Sequence, residues 1–139
     1  MLYHFTDSRN VASIREHGLL SWWLLDQKGI SYVSSATELS HRLDGRRHLA
    51  NYVHLCLRLD HPMAAVALAE GRVLRLVWLE IDEAVMRWRK TRFSDINATA
   101  TGALITSDKK TALDSADPQA EVLVHNSLAA KWIRFPRGS

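Results

Sequence analysis

One cysteine in 139 residues, Cys56, excludes an internal disulfide and a cysteine-rich zinc site. It lies in the apolar run "YVHLCLRL", so it reads as a buried thiol suited to a reducing cytoplasm. No apolar stretch reaches the length of a membrane-spanning helix, and the first residues lack the charged-then-apolar secretory pattern, so no membrane partner is expected. Glycine is scarce at six residues. None of them forms a phosphate-cradling loop, a G-x-G-x-x-G dinucleotide fingerprint or a G-x-S-x-G nucleophile elbow. Seven histidines invite a metal hypothesis, yet no H-x-x-x-H pair and no Cys/His pairing at ligand spacing occurs, so no metal is expected.

What remains is an ordinary globular composition, 47% hydrophobic and 24% charged, enough for one domain over residues 1–139 with its own core. The final "RGS" reads as a remnant or a frayed tail. A formal net charge of +3 permits an anionic partner without requiring one. The distribution says more than the total. Arg42, Arg46 and Arg47 gather in "HRLDGRR"; Arg87, Arg89, Lys90 and Arg92 gather in "RWRKTRF" around Trp88, one of five tryptophans.

Along the chain, "LYHFT" at residues 2–6 predicts a first strand, with Ser8 as N-cap of a helix that buries Val11 and Ile14 and stops at Gly18. "NYVHLCLRL" is the clearest strand. Pro62 opens a helix over "MAAVALAE" that Gly71 ends, and "RVLRLVWLEID" predicts another strand. Residues 84–115 read as a loop-rich insertion with a strand at "ALIT", before "QAEVLV" and "KWIRF" supply the last strands. The mixture predicts an α+β fold with a split, mostly antiparallel sheet flanked by helices.

Within "PQAEVLV", a strand would put Gln119 and Glu121 on one face and Ala120 and Val122 on the other. Alone, such a pair is also compatible with the solvated end of an edge strand. Glu121 is nonetheless the only acid that opens a convincing apolar strand with a polar partner two residues before it.

The ordered set "LYHFTDSRNVASIREHGLLS", "LDGRR", "LANYVHLCLRLDHPM", one of "RFSDINA" or "LITSD", and "QAEVLV" resembles the DarT family of toxins, which transfer ADP-ribose from NAD onto bases of single-stranded DNA. The likeness runs over nearly the whole chain; its strength lies in the order of the motifs rather than in any one. The resemblance implies an ADP-ribosyltransferase-like fold and NAD as a consumed co-substrate. It implies single-stranded DNA as acceptor and a toxin or defence role, and it leaves room for a neutralising antitoxin. By the same carry-over Glu121 is the catalytic carboxylate and Arg47 the catalytic arginine, with Arg46 its rival by a one-residue slip. His4, Phe5, Thr6, Ser13, Leu20 and Tyr52 would line the cofactor pocket, with Gln119 and Arg46 beside it. Tyr52 reads equally as a core tyrosine, and "GRR" alone as a solvated basic face.

The chemistry suits these residue types. Breaking the nicotinamide–ribose bond develops an oxocarbenium-like cation, which a carboxylate stabilises, and a guanidinium grips a pyrophosphate bidentately. Arg87, Trp88, Arg89, Lys90 and Arg92 form a candidate nucleic-acid track, since basic side chains follow phosphates and an aromatic ring stacks a base. The chain departs from the family pattern in a short spacing between Arg47 and Tyr52, a shortened segment before Glu121 and little chain after the last strand. Two alternatives stay open: a same-fold NAD-consuming enzyme acting on RNA, protein or water, and a catalytically inactive nucleic-acid-binding module.

Overall fold

The computed structural model describes residues 1–34, 42 and 49–137. Strand β1 (Leu2–Asp7) runs into a 3-10 turn (Ser8–Asn10) and helix α1 (Val11–His17), followed by β2 (Leu19–Leu20) and α2 (Trp22–Gln27). After β3 (Tyr52–Cys56) come α3 (Pro62–Ala69), β4 (Leu76–Ile81), a 3-10 segment (Glu83–Arg87), β5 (Arg92–Ser94) and β6 (Ile105–Thr106). A helical turn (Lys110–Leu113) leads to β7 (Glu121–His125), β8 (Ser127–Leu128), a 3-10 turn (Ala130–Trp132) and β9 (Ile133–Arg134). Among the described residues no helix is long and apolar enough to cross a membrane.

The main sheet has the order β6-β5-β7-β3-β1-β4-β9, and its recorded pairings are antiparallel. Alternation explains its core face. Val77, Leu79 and Ile81 of β4 are buried while their neighbours in the strand are half-exposed, and Leu2 lies opposite Ile81 in register. Val53 faces Val124, and Leu55 faces Val122, which in turn faces Phe93. Helix α1 lays Val11 and Ile14 on this layer. The second face of β7 is covered as well, so Glu121 to Val124 are all buried.

The sheet splits at its middle. β1 and β4 pair at six register positions and β3 and β7 at five, but β1 and β3 meet at one, Tyr3 opposite Cys56. Beyond that pair the strands part. On that side β7 turns at Asn126, whose φ of 62° asparagine tolerates, into β8. There Leu128 pairs with Leu19 and Ser127 with Leu20 in a small second sheet.

Several boundaries differ from the sequence expectation. Asp7, not Ser8, caps the first turn: its carboxylate accepts from Arg9 N, pairs with the Arg9 guanidinium and also accepts from Leu74 N. An ionised carboxylate simply outcompetes the neighbouring hydroxyl for these donors. The segment "RFS" within the basic cluster forms β5, where an insertion loop was expected, because register with β7 supplies what three residues of local pattern cannot. β7 starts at Glu121, so Gln119 stands in the preceding turn, its N–H donating to the Asp117 side chain. The predicted helix after His61 and the strand ending "LVWLEI" do form, the latter only over its second half.

Two residues carry testable consequences for stability. Gly18 ends α1 with φ +83°, and a Cβ there would stand 2.6 Å from the Leu128 carbonyl oxygen, so β8 occupies the space a side chain needs. Gly18→Ala should lower stability by roughly 1–3 kcal/mol from the backbone conformation alone, read as a fall in Tm. Asp7 is fully buried. The Arg9 hydrogen bond, set against burial and joined by the Arg9 and Leu74 amides, holds its carboxyl well below the usual carboxylate range. Because the folded pKa is depressed, the stabilisation is complete above the ordinary carboxylate pKa of about 4 and is lost as pH falls below it. Asp7→Asn should therefore be less stable at neutral pH, and acid unfolding curves of variant and parent should converge towards low pH.

Candidate active site

The cavity opens where β1 and β3 part, with a volume of about 240 Å³. β1 contributes His4, Phe5 and Thr6; α1 contributes Ser13 and Ile14; β2 contributes Leu19 and Leu20. The facing wall is β3, through Tyr52, Val53, His54 and Cys56, with Glu121 at the start of β7 and Asn97 and Thr99 from the loop after β5. A further stretch of wall, Tyr32 to Ser34, is joined to the turn before α1 through the Asn10 side chain. Asn10 Oδ1 accepts from Val33 N at 2.8 Å, and its Nδ2 donates to Val33 O at 2.7 Å and to Thr6 Oγ1 at 3.0 Å.

Glu121 is 6% exposed and both its oxygens are held. His54 Nδ1 lies 2.9 Å from Oε2, and the Ala98 N–H donates to Oε1 at 2.9 Å. Burial opposes ionisation here. The field of His54 and its hydrogen bond, the Ala98 amide and His61 outweigh it, and the carboxyl sits below its ordinary value. The site therefore holds a buried, ionised carboxylate at physiological pH.

The histidines around it differ in state. His4 Nδ1 lies 3.1 Å from the His54 carbonyl oxygen, and burial, only partly offset by that bond, lowers its pKa to about 4. The ring is neutral, donates through Nδ1 and leaves Nε2 as an acceptor. His61 caps α3 by accepting from Met63 N through Nδ1 and packs against the Phe5 ring. Burial lowers its pKa too, against the pull of Glu121, Asp117 and Asp60. Cys56 faces Glu121 across the ladder, and burial followed by the Glu121 charge raises the thiol pKa far above its usual range.

Of the residues singled out from sequence, His4, Phe5, Thr6, Ser13, Leu20, Tyr52 and Glu121 line this one cavity. Gln119 does not; it accepts from Asn97 Nδ2 at 3.3 Å, behind the lining asparagine. Arg46 and Arg47 lie outside the described residues. Of the two candidate segments, "RFSDINA" lies beside Glu121: Ser94 is its register partner and Ala98 its amide donor. "LITSD" forms β6 at the sheet edge, beyond β5.

His54, His61, Asn97 and Asn10 were missed. His54 was legible in principle, two residues from Tyr52 on a strand and so on the same face. Asn97 and Ala98 carried no local signal, since a loop amide reaches Glu121 only through the tertiary fold.

Of the basic cluster, Lys90 acts electrostatically on His125, a neighbour of the cavity-lining Tyr52. Arg87, Arg89 and Lys90 are exposed, and Arg92 is half-buried, donating through Nη1 to the Arg89 and Thr91 carbonyls. Burial and then the Lys90 charge lower the His125 pKa, and the His125 ring meets the cavity-lining Tyr52 edge-on at 5.4 Å. Trp88 instead packs edge-to-face on Trp132 at 5.7 Å, at the margin of the core.

Comparison with known proteins places this architecture. Thermosipho africanus DarTG in complex with ADP-ribose superposes with a TM-score of 0.78 at 20% identity, over 95% of this chain and 42% of that one. Thermus sp. 2.9 DarT superposes over 95% of this chain and 78% of its own, at TM-score 0.72 and 19% identity in complex with ADP-ribosylated ssDNA. Its complex with carba-NAD+ gives 0.67 and 18% over the same shares. The chain thus spans under half the length of the Thermosipho protein. No curated protein matches it. The family model described as "ssDNA thymidine ADP-ribosyltransferase, DarT" matches residues 3–117, from the first strand to just before the strand of Glu121. With the fold of these structures and that match over most of its length, the chain belongs to the DarT family.

Proposed function

We propose that this protein transfers ADP-ribose from NAD to a thymine base in single-stranded DNA, with Glu121 as the catalytic carboxylate. The observation that carries the reading is the buried Glu121 in the cleft of the split sheet, both oxygens fixed by protein donors. As the nicotinamide leaves with the bonding electrons, positive charge grows at the ribose, and a carboxylate already oriented there stabilises it without reorganisation. The neutral His4 offers an acceptor at Nε2 for a ribose hydroxyl, and the apolar walls from Leu19, Leu20 and Ile14 exclude the water that would compete as acceptor. Arg47, or Arg46 in its place, supplies the bidentate pyrophosphate contact. No metal takes part in this scheme. The reading also includes a cytoplasmic toxin or defence role and a neutralising antitoxin as partner.

Isotope-labelled NAD tests it directly. Label should appear on single-stranded DNA containing thymine and not on RNA, protein or free ADP-ribose; label on any of those instead overturns the acceptor assignment. Glu121→Gln is nearly isosteric and should keep NAD binding while lowering the transfer rate about two to three decades, the worth of one oriented electrostatic contact of roughly 3–4 kcal/mol. Full activity in that variant would remove Glu121 from catalysis. Arg47→Ala should abolish transfer, and Arg46→Ala should weaken it.

The same reading gives the basic cluster its role. With Lys90 near His125 and His125 against Tyr52, a strand tracking Arg87, Arg89 and Lys90 leads to the cavity end at Tyr52. Strand affinity should fall steeply with salt, the slope growing by about 0.7 per phosphate neutralised. Reversing charge at Arg87 and Arg89, both exposed, should flatten that slope and leave NAD binding unchanged. A salt slope equal to the parent's would place the strand elsewhere. Trp88→Ala reports fold stability as well as strand affinity, because the ring packs on Trp132.

A further inference from the structure

We propose that His54 is a positioning residue for Glu121, fixing the carboxylate and keeping it ionised for transfer. The inference rests on the reading of Glu121 as the catalytic carboxylate. Its basis is geometric. Cys56 stands opposite Glu121 in the β3–β7 ladder and His54 opposite Leu123, so His54 and Glu121 are diagonal neighbours on one face of the sheet. Such neighbours are within reach of long side chains, and here Nδ1 and Oε2 stand 2.9 Å apart, with side-chain exposures of 23% and 8%.

The two oxygens of Glu121 are held by different kinds of donor. The Ala98 amide is part of the loop and cannot change its charge, whereas the His54 imidazole can. The other ionisable groups that act on Glu121 come from separate elements: His4 from β1, Cys56 from β3 and His61 before α3. The recorded bonds of His4 and His61 go elsewhere, to the His54 carbonyl and the Met63 amide, so neither ring stands in for His54 at Glu121. Without that donor the buried carboxylate loses the contact that balances desolvation. It would swing about the Ala98 bond and take up a proton at higher pH.

Two substitutions separate positioning from packing. His54→Ala removes the donor. His54→Asn places an amide N–H close to the Nδ1 position but carries no charge. Near neutral pH His54→Ala should slow transfer about 10–100-fold, as expected for a hydrogen bond to a charged group, with KM for NAD little changed. His54→Asn should recover most of that loss. The acid limb of the pH–rate profile should move up by about one pH unit or more in His54→Ala. Wild-type rates and an unmoved limb in His54→Ala would overturn the proposal, as would an equal loss in both variants without a limb shift.

A second measurement is independent of turnover. The 13C carboxyl signal of Glu121, assigned by its absence in Glu121→Gln, should titrate at a higher midpoint in His54→Ala than in the parent. An unchanged midpoint overturns the proposal even if the rates fall. If the parent shows no transfer to any acceptor, the reading of Glu121 as catalytic fails on its own, while the midpoint still decides whether His54 holds the carboxylate.

Discussion

A carboxylate kept charged inside a protein is costly unless every lone pair that faces the interior finds a donor. Glu121 meets that demand through a ladder partner's neighbour and a loop amide, and much of the surrounding architecture is fixed by it. β7 must run between β5 and β3 to bring Ser94 and Cys56 alongside Glu121. The loop after β5 must return over the strand for Ala98 N to reach Oε1, and there Ala98 closes on Leu123 and Leu49 in a small satellite core. The same packing that seats the loop therefore aims its amide.

The split of the sheet follows from an asymmetry in pairing. β1 pairs with β4 along its whole length and β3 with β7 along its own, whereas the edges β1 and β3 turn towards each other meet at one register position only. Freed N–H and C=O groups at such a seam face either solvent or a ligand. His4 bridges part of it by bonding the His54 carbonyl, which ties the cleft's two lips together next to the carboxylate. A side chain does here what a ladder hydrogen bond does elsewhere.

Sequence carried the long, regular elements well, because their signal is local. The alternation of Val77, Leu79 and Ile81, and the Pro62-to-Gly71 helix, need no tertiary information. Glu121 was legible as an acid opening an apolar strand. Its companion was not: Gln119 was assigned to the same face by extending the strand backwards, whereas pairing with Ser94 and Cys56 begins only at Glu121. β5 was hidden because three residues show no period, and its basic residues argued for a loop. Spacing puts His54 on the face of Tyr52, but only the register across to β7 reveals what its imidazole touches.

Asn10 imitates a strand. Its amide offers Val33 the donor and acceptor that a ladder neighbour would, while the same nitrogen reaches Thr6. Each such bond is worth about 1 kcal/mol net, so losing the Asn10 side chain would loosen the Val33 segment while the strands stay paired. Its amides would then exchange with solvent on a faster clock than those of β3 and β7. A bound ligand that fills the corner between Thr6 and Val33 would slow that clock, and so register its presence in the backbone before any chemistry occurs.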